Sequence, residues 1–378
     1  MTQQPIQALL ADAVTRGVAP GLSAAVVRPD GQIHTFTAGA RGAADPAPMD
    51  PETVFWVASC TKAITTAAAL ELVARGALDL DEPVGRRLAA LAEPSLLEGF
   101  DAEGAPVLRA ARKPVTLRTL LSHTSGLAYD FNSAETLRFL EHRGQSLGSA
   151  GGLGLPLVFE PGERWCYGVG IDVAGLLIEA ATGRSLGEAL SEIVFRPLGM
   201  DDTTFDPTPE HNARRAGLHA RLPDGQLLPI DPIPPLPADL RGGGGLCSTP
   251  KDYAKFLRAV VHGGGGVLSP GALAGLSTSQ TGAAGVGEIQ SVMPHVSSDY
   301  RPMPGVRKGF TFGFLQNHDA LPGGRAAGSL SWAGLPNCYY WADPVSGVAG
   351  ALFAQSLPFA DPRVLEVFDA FERAVYAS

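Results

Sequence analysis

Strand-like sequence sits at both ends of this chain, and the long stretch between is mainly helical and loop-rich in pattern. Residues 22–28 and 33–38 are β-rich runs joined by Pro29-Asp30-Gly31, a hairpin signal. Toward the other end, residues 310–316, 327–332, 338–342 and 348–355 read as strands, with a turn over Asp343-Pro344-Val345-Ser346-Gly347. Helices are expected over 4–16, 59–75, 117–121, 171–181, 185–195, 250–262 and 362–376, several of them stopped by glycine or capped by serine. Strands at both termini with helices between predict an α/β fold: one antiparallel sheet built by the two chain ends, flanked by helices, with a mainly helical lobe inserted. The expected division is an α/β domain from 1–75 and 240–378 and a lobe over 76–239, with the active site between them.

Composition narrows the function. At 378 residues, 45% apolar and 18% charged, the chain suits a globular enzyme. A net charge of −9 argues against nucleic acid or an anionic membrane surface as the main partner and suits a neutral small molecule. The start lacks a secretory-signal pattern, and no apolar run is long enough to span a bilayer. Cys60, Cys166, Cys247 and Cys338 are widely spaced without a CxxC pair, so they read as free thiols in a reducing, cytoplasmic setting. No metal or cofactor is implied. The five prolines within 229–237 predict an extended loop or lid.

The chemistry-bearing signal is Ser59-Cys60-Thr61-Lys62 at the head of a helix. Residues three apart share a helix face, so the ammonium group can reach the hydroxyl. A serine hydroxyl needs a neighbour to take its proton, and a lysine can do this when burial or positive potential disfavours its charged form. Taken alone, S-x-x-K is weak, since a capping serine and a solvated lysine also satisfy it. Here the flanks are apolar (Phe55-Trp56-Val57-Ala58 before, an alanine-rich run after), and a lysine entering such a helix needs partners.

With Leu120-Leu121-Ser122-His123-Thr124-Ser125-Gly126-Leu127, with Phe159-Glu160-Pro161-Gly162 leading to Tyr167, and with Trp332-Ala333-Gly334, the motif resembles the serine β-lactamase and penicillin-binding-protein superfamily. The nearest likeness is to class C β-lactamases and the family VIII carboxylesterases. That resemblance implies a β-lactamase-like fold and a serine hydrolase with Ser59 as nucleophile. Lys62 and Tyr167 would manage the proton, and the backbone N–H groups of Ser59 and Leu335 would form the oxyanion hole. Trp332, Ala333 and Gly334 stand where β-lactamases carry Lys-Thr/Ser-Gly, so the carboxylate-pairing lysine is replaced by an apolar indole. Val169 stands where class C enzymes carry an asparagine two residues after the tyrosine. Both departures favour a carboxylesterase acting on uncharged, short-chain esters through an acyl-enzyme.

The alternatives are a β-lactamase or D-alanyl peptidase, an acyltransferase in which an alcohol replaces water, and a non-catalytic binding protein of the same fold. Oligomeric state stays open. Two G-x-S-x-G matches, at Ser146 and Ser185, lack the strand that a nucleophile elbow needs, and Ser185 reads as a helix cap. His123 reads as structural, Cys60 and Cys166 as pointing away from the site. Asp172 is either an orienting group or solvated helix polarity.

Overall fold

The strands of the two termini meet in one seven-stranded antiparallel sheet. The computed structural model describes residues 4–230, 236–282 and 285–377. The sheet comprises β1 (Gly21–Val27), β2 (Ile33–Gly39), β3 (Lys308–Phe310), β4 (Leu315–Asn317), β5 (Leu330–Gly334), β6 (Cys338–Asp343) and β7 (Val348–Phe353). Their spatial order is β2-β1-β7-β6-β5-β4-β3. The N-terminal hairpin therefore docks on the last long strand, with Ala25 opposite Ala351. The expected β-lactamase-like α/β fold is what the structure shows.

Strands β1, β5, β6 and β7 are buried along their whole length, because helices cover both faces. Alternation sorts their side chains. Leu22, Ala24, Val26, Tyr339, Trp341 and Leu352 pack with α1 (Gln4–Thr15) and the C-terminal helix Pro362–Tyr376. Ala25, Val27, Tyr340, Ala351 and Phe353 face the opposite way, into the core that contains α2 (Thr61–Ala74) and the helix Pro250–Val261. The Trp341 indole lies over its cross-strand partner Gly350, where a Cβ would come within 2.2 Å of the ring.

Two strand assignments differ from expectation. The run 310–316 is not one strand, because Gly313 (φ +77°) turns the chain between β3 and β4. A Cβ on Gly313 would sit 2.6 Å from Thr66 Oγ1, so the turn also lets this edge approach α2. The strand expected at 327–332 begins later, at Leu330, after a bend at Gly328 (φ +88°). Three further elements carry no clear periodic signal: the hairpin of Ser95–Phe100 with Pro106–Ala110, the hairpin of Leu218–Arg221 with Leu227–Ile230, and the helix Pro270–Ser277. Of the Leu218–Ile230 hairpin, the first strand pairs with Ser356–Leu357 near the C-terminus. The lid expected over 229–237 lies largely outside the described residues. No helix among the described residues is long and apolar enough to cross a membrane.

Candidate active site

Ser59 sits in a short 3-10 turn, Ala58–Cys60, that runs directly into α2. Ala58 holds φ +43°, a conformation that side chains with a Cβ adopt at a cost. The turn is tied down from both sides. The Cys60 N–H donates to the Val57 carbonyl at 3.0 Å, and the Thr61 hydroxyl donates to the Ala58 carbonyl at 2.6 Å. Ser59 remains partly exposed at the floor of a cleft, while Lys62, one turn on, is fully buried.

Lys62 is not a solvated surface lysine. Its Nζ donates to Gly243 O at 2.6 Å, Tyr129 Oη at 2.8 Å and Ser59 Oγ at 3.3 Å, the full donor complement of an ammonium group. It also lies 4.9 Å and 5.0 Å from the ring centroids of Tyr129 and Tyr167, in position for cation–π attraction. The Tyr167 hydroxyl donates to Ser59 Oγ at 2.7 Å. Ser59, Lys62 and Tyr167, singled out from the sequence, therefore meet at one oxygen atom.

Three further groups complete the cluster. The Tyr129 hydroxyl donates to Asp172 Oδ2 at 2.6 Å, and the Gly243 N–H donates to Asp172 Oδ1 at 2.7 Å. Both carboxylate oxygens accept, as suits the ionised form. Burial pushes the Asp172 carboxyl up to about 6, against the opposing pull of the Lys62 charge and of its hydrogen-bond donors. The Tyr129 hydroxyl is held well above the ordinary tyrosine range by burial and by the Asp172 charge. Asp172 is thus a buried partner rather than solvated polarity. Its signal was a lone acid in the first turn of an otherwise apolar helix start, Gly170-Ile171-Asp172-Val173. Tyr129 had no such signal, since it lies in an irregular loop.

The glycine run at 242–245 has the same origin. A Cβ on Gly243 would lie 2.2 Å from Asp172 Oδ2, and one on Gly242 would lie 2.8 Å from the Ile171 carbonyl. Consecutive carbonyls of the run accept from the segment around Ser59: Gly242 from Thr65 Oγ1 at 2.8 Å, Gly243 from Lys62, and Gly244 from Trp56 Nε1 at 2.8 Å. Only a chain without side chains fits between α2 and the Gly170–Thr182 helix here.

Strand β5 forms the opposite wall. The Trp332 ring lies 5.0 Å from Tyr167 and 5.3 Å, edge to face, from Phe310. Ala333 and Leu335 also line the cleft. Gly334 backs onto the Ser59 turn, where a Cβ would fall 2.1 Å from the Val57 carbonyl. Gly334→Ala is therefore expected to push β5 from the Ser59 turn, lowering stability by about 1–3 kcal/mol and activity more than stability. Thermal unfolding and turnover of an ester, measured on the same preparation, check this.

The cleft holds a cavity of about 200 Å³ and is lined mostly by apolar groups, among them Phe131, Leu147, Leu236, Leu240, Ile289 and Phe359. The Val169 side chain is buried in the core and offers the cleft no amide. Ser185 caps a helix, accepting from the Glu188 N–H, and Ser146 also stands at a helix start. Burial raises all four thiols, Cys60 and Cys338 well above the ordinary range and Cys166 to about 11. Cys60 Sγ points to the Cys338 carbonyl, away from Ser59.

The sheet, its helices and a Ser-x-x-Lys helix opening on a cleft define the serine β-lactamase fold. The chain belongs to the Beta-lactamase family, whose profile matches residues 6–372. It is 35% identical over 346 residues to the monacolin J acid methylbutanoyltransferase of Aspergillus terreus, covering 87% of this chain and 83% of that one. Lovastatin esterase of Penicillium rubens is 28% identical over 351 residues, covering 87% and 86%. The solved structure of a simvastatin synthase mutant (LovD6) from Aspergillus terreus superposes with a TM-score of 0.87 at 32% identity, covering 99% of this chain and 95% of that one.

Proposed function

We propose that this protein is an acyl-enzyme-forming acyltransferase that moves an acyl group from an uncharged ester to an apolar alcohol, with hydrolysis as the competing outcome. The observation that carries the reading is the Ser59–Lys62–Tyr167 cluster at the floor of an apolar cleft. Sequence alone favours ester hydrolysis, with acyl transfer as the alternative. The methylbutanoyltransferase likeness, at higher identity than the lovastatin esterase likeness, moves transfer to the front.

Ser59 Oγ attacks the ester carbonyl from the form of the site in which Tyr167 has given up its proton beside the Lys62 ammonium, and the Tyr167 phenolate takes the Ser59 proton. The oxyanion is held by the N–H groups of Ser59 and Leu335. Ser59 lies at a helix start, where N–H groups have no intrahelical acceptor. Tyr167 returns the proton to the departing alkoxide, which leaves as alcohol. The acceptor alcohol then attacks the acyl-enzyme and gives its proton to Tyr167, which passes it to Ser59 Oγ as the bond to serine breaks and the new ester departs. Water in place of the acceptor yields the carboxylic acid. Trp332 and the aliphatic lining favour uncharged groups, since neither supplies a cation for a carboxylate.

The test is product partition. With p-nitrophenyl butyrate and millimolar cyclohexylmethanol, the butyrate ester of the alcohol is expected to outweigh butyric acid despite water at about 55 M. Butyric acid as the sole product across alcohol concentrations would return the assignment to a carboxylesterase. Nitrocefin turnover faster than ester turnover would favour the β-lactamase alternative.

A further inference from the structure

Tyr167 lies outside regular structure, just before the Gly170–Thr182 helix, yet its hydroxyl must be placed to within a few tenths of an ångström of Ser59 Oγ. His123 contacts the chain on both sides of it. The Cys166 N–H donates to the His123 carbonyl at 2.9 Å, and the Gly168 N–H donates to His123 Nδ1 at 3.4 Å. The imidazole also meets the Tyr167 ring edge to face, with centroids 4.9 Å apart. Phe310 closes the other side of the imidazole at 5.1 Å.

Both contacts with Tyr167's neighbours come from one residue because of its backbone. His123 holds φ +55°, which turns its carbonyl toward Cys166 while its side chain reaches Gly168. Gly168 leaves no latitude on its own side, since a Cβ there would lie 1.9 Å from the Leu127 carbonyl. Burial and the Lys62 charge hold the imidazole well below the ordinary histidine range, which favours the neutral ring, and the Gly168 N–H makes Nδ1 its acceptor nitrogen. This argues against a triad base. The geometry points to a different task.

We infer that His123 is a positioning residue that sets the Tyr167 hydroxyl against Ser59 by holding the backbone on both sides of that tyrosine. The inference rests on the proton-carrying role proposed for Tyr167.

His123→Gly removes the acceptor and accepts φ +55° without strain, whereas His123→Asn keeps a neutral acceptor and tolerates that φ. His123→Gly is expected to lower kcat about 100-fold, with KM for p-nitrophenyl butyrate within about 3-fold. His123→Asn is expected to recover most of that loss. In a Tyr167→Phe background, His123→Gly should cost less than about 2-fold further, because its effect runs through the missing hydroxyl. Losses that multiply in the double variant, beside a strongly impaired Tyr167→Phe, would overturn the positioning role alone. If Tyr167→Phe is fully active, the proposed chemistry of Tyr167 falls and takes this inference with it. Should His123→Gly fail to fold, His123→Asn decides: a folded His123→Asn protein retaining under about a thirtieth of wild-type kcat contradicts the inference.

Discussion

Ser59→Ala is expected to reduce ester turnover by at least about 10⁴-fold while leaving the fold unchanged. The side chain removed is small and partly exposed, so little packing is lost. What disappears is the atom on which Lys62 and Tyr167 converge, at 3.3 and 2.7 Å. The check is a fluorophosphonate probe read by intact mass, alongside turnover of p-nitrophenyl butyrate. Wild type should gain one adduct that maps to Ser59, and the variant none. Retained turnover in Ser59→Ala would place the nucleophile elsewhere and dismantle the mechanism.

Lys62→Met is the second large effect, because it removes charge from a buried network without removing volume. Tyr129 Oη, Gly243 O and Ser59 Oγ each lose a donor, and Asp172 loses the Lys62 charge that acts to keep it ionised. Breaking a buried charged network in this way costs about 3–5 kcal/mol, and activity is expected to fall about 10³-fold or more. The cost carries a pH signature. In the wild type the Asp172 carboxyl is lifted to about 6 from its ordinary 3.8, so the folded state holds a proton that the unfolded state has released between those values. Its contribution to stability is therefore fully present below the unfolded value and is lost as pH rises through about 6. Without Lys62 the carboxyl moves higher still, so the Lys62→Met protein should approach wild-type stability as pH falls and diverge from it toward neutrality. Thermal midpoints across pH 4–8 test this; a pH-independent difference would show that Asp172 is not the group responsible.

Activity and stability are thus expected to respond oppositely to Asp172. Protonation relieves the fold of a buried charge, yet it removes the negative partner of the Lys62–Tyr129 network. Turnover should decline below about pH 6 even where the protein is at its most stable.

Much of this arrangement was legible in the residues. Hydrophobic periodicity placed the terminal helices, the N-terminal hairpin and the long strands of the sheet, because each is set by local pattern and turn chemistry. Lys62 in an apolar helix announced a buried charge, and the spacing of Ser59 and Lys62 follows from helix geometry alone. What the chain order does not carry is which distant backbone fills the remaining donors and acceptors. Tyr129 stands in a loop, and Gly243 is one glycine of a run until folding brings the Asp172 carboxylate within 2.2 Å of where its Cβ would be. The single strand expected at 310–316 became two because Gly313 must fit against Thr66, a contact across 247 residues of chain. Sequence by itself determined the terminal helices, the long strands and the helix that starts at Ser59, since these depend on local periodicity. Only the tertiary structure decided the Asp172–Tyr129–Gly243 network and the His123 contacts, because they arise from buried polar groups finding partners that proximity in sequence does not provide.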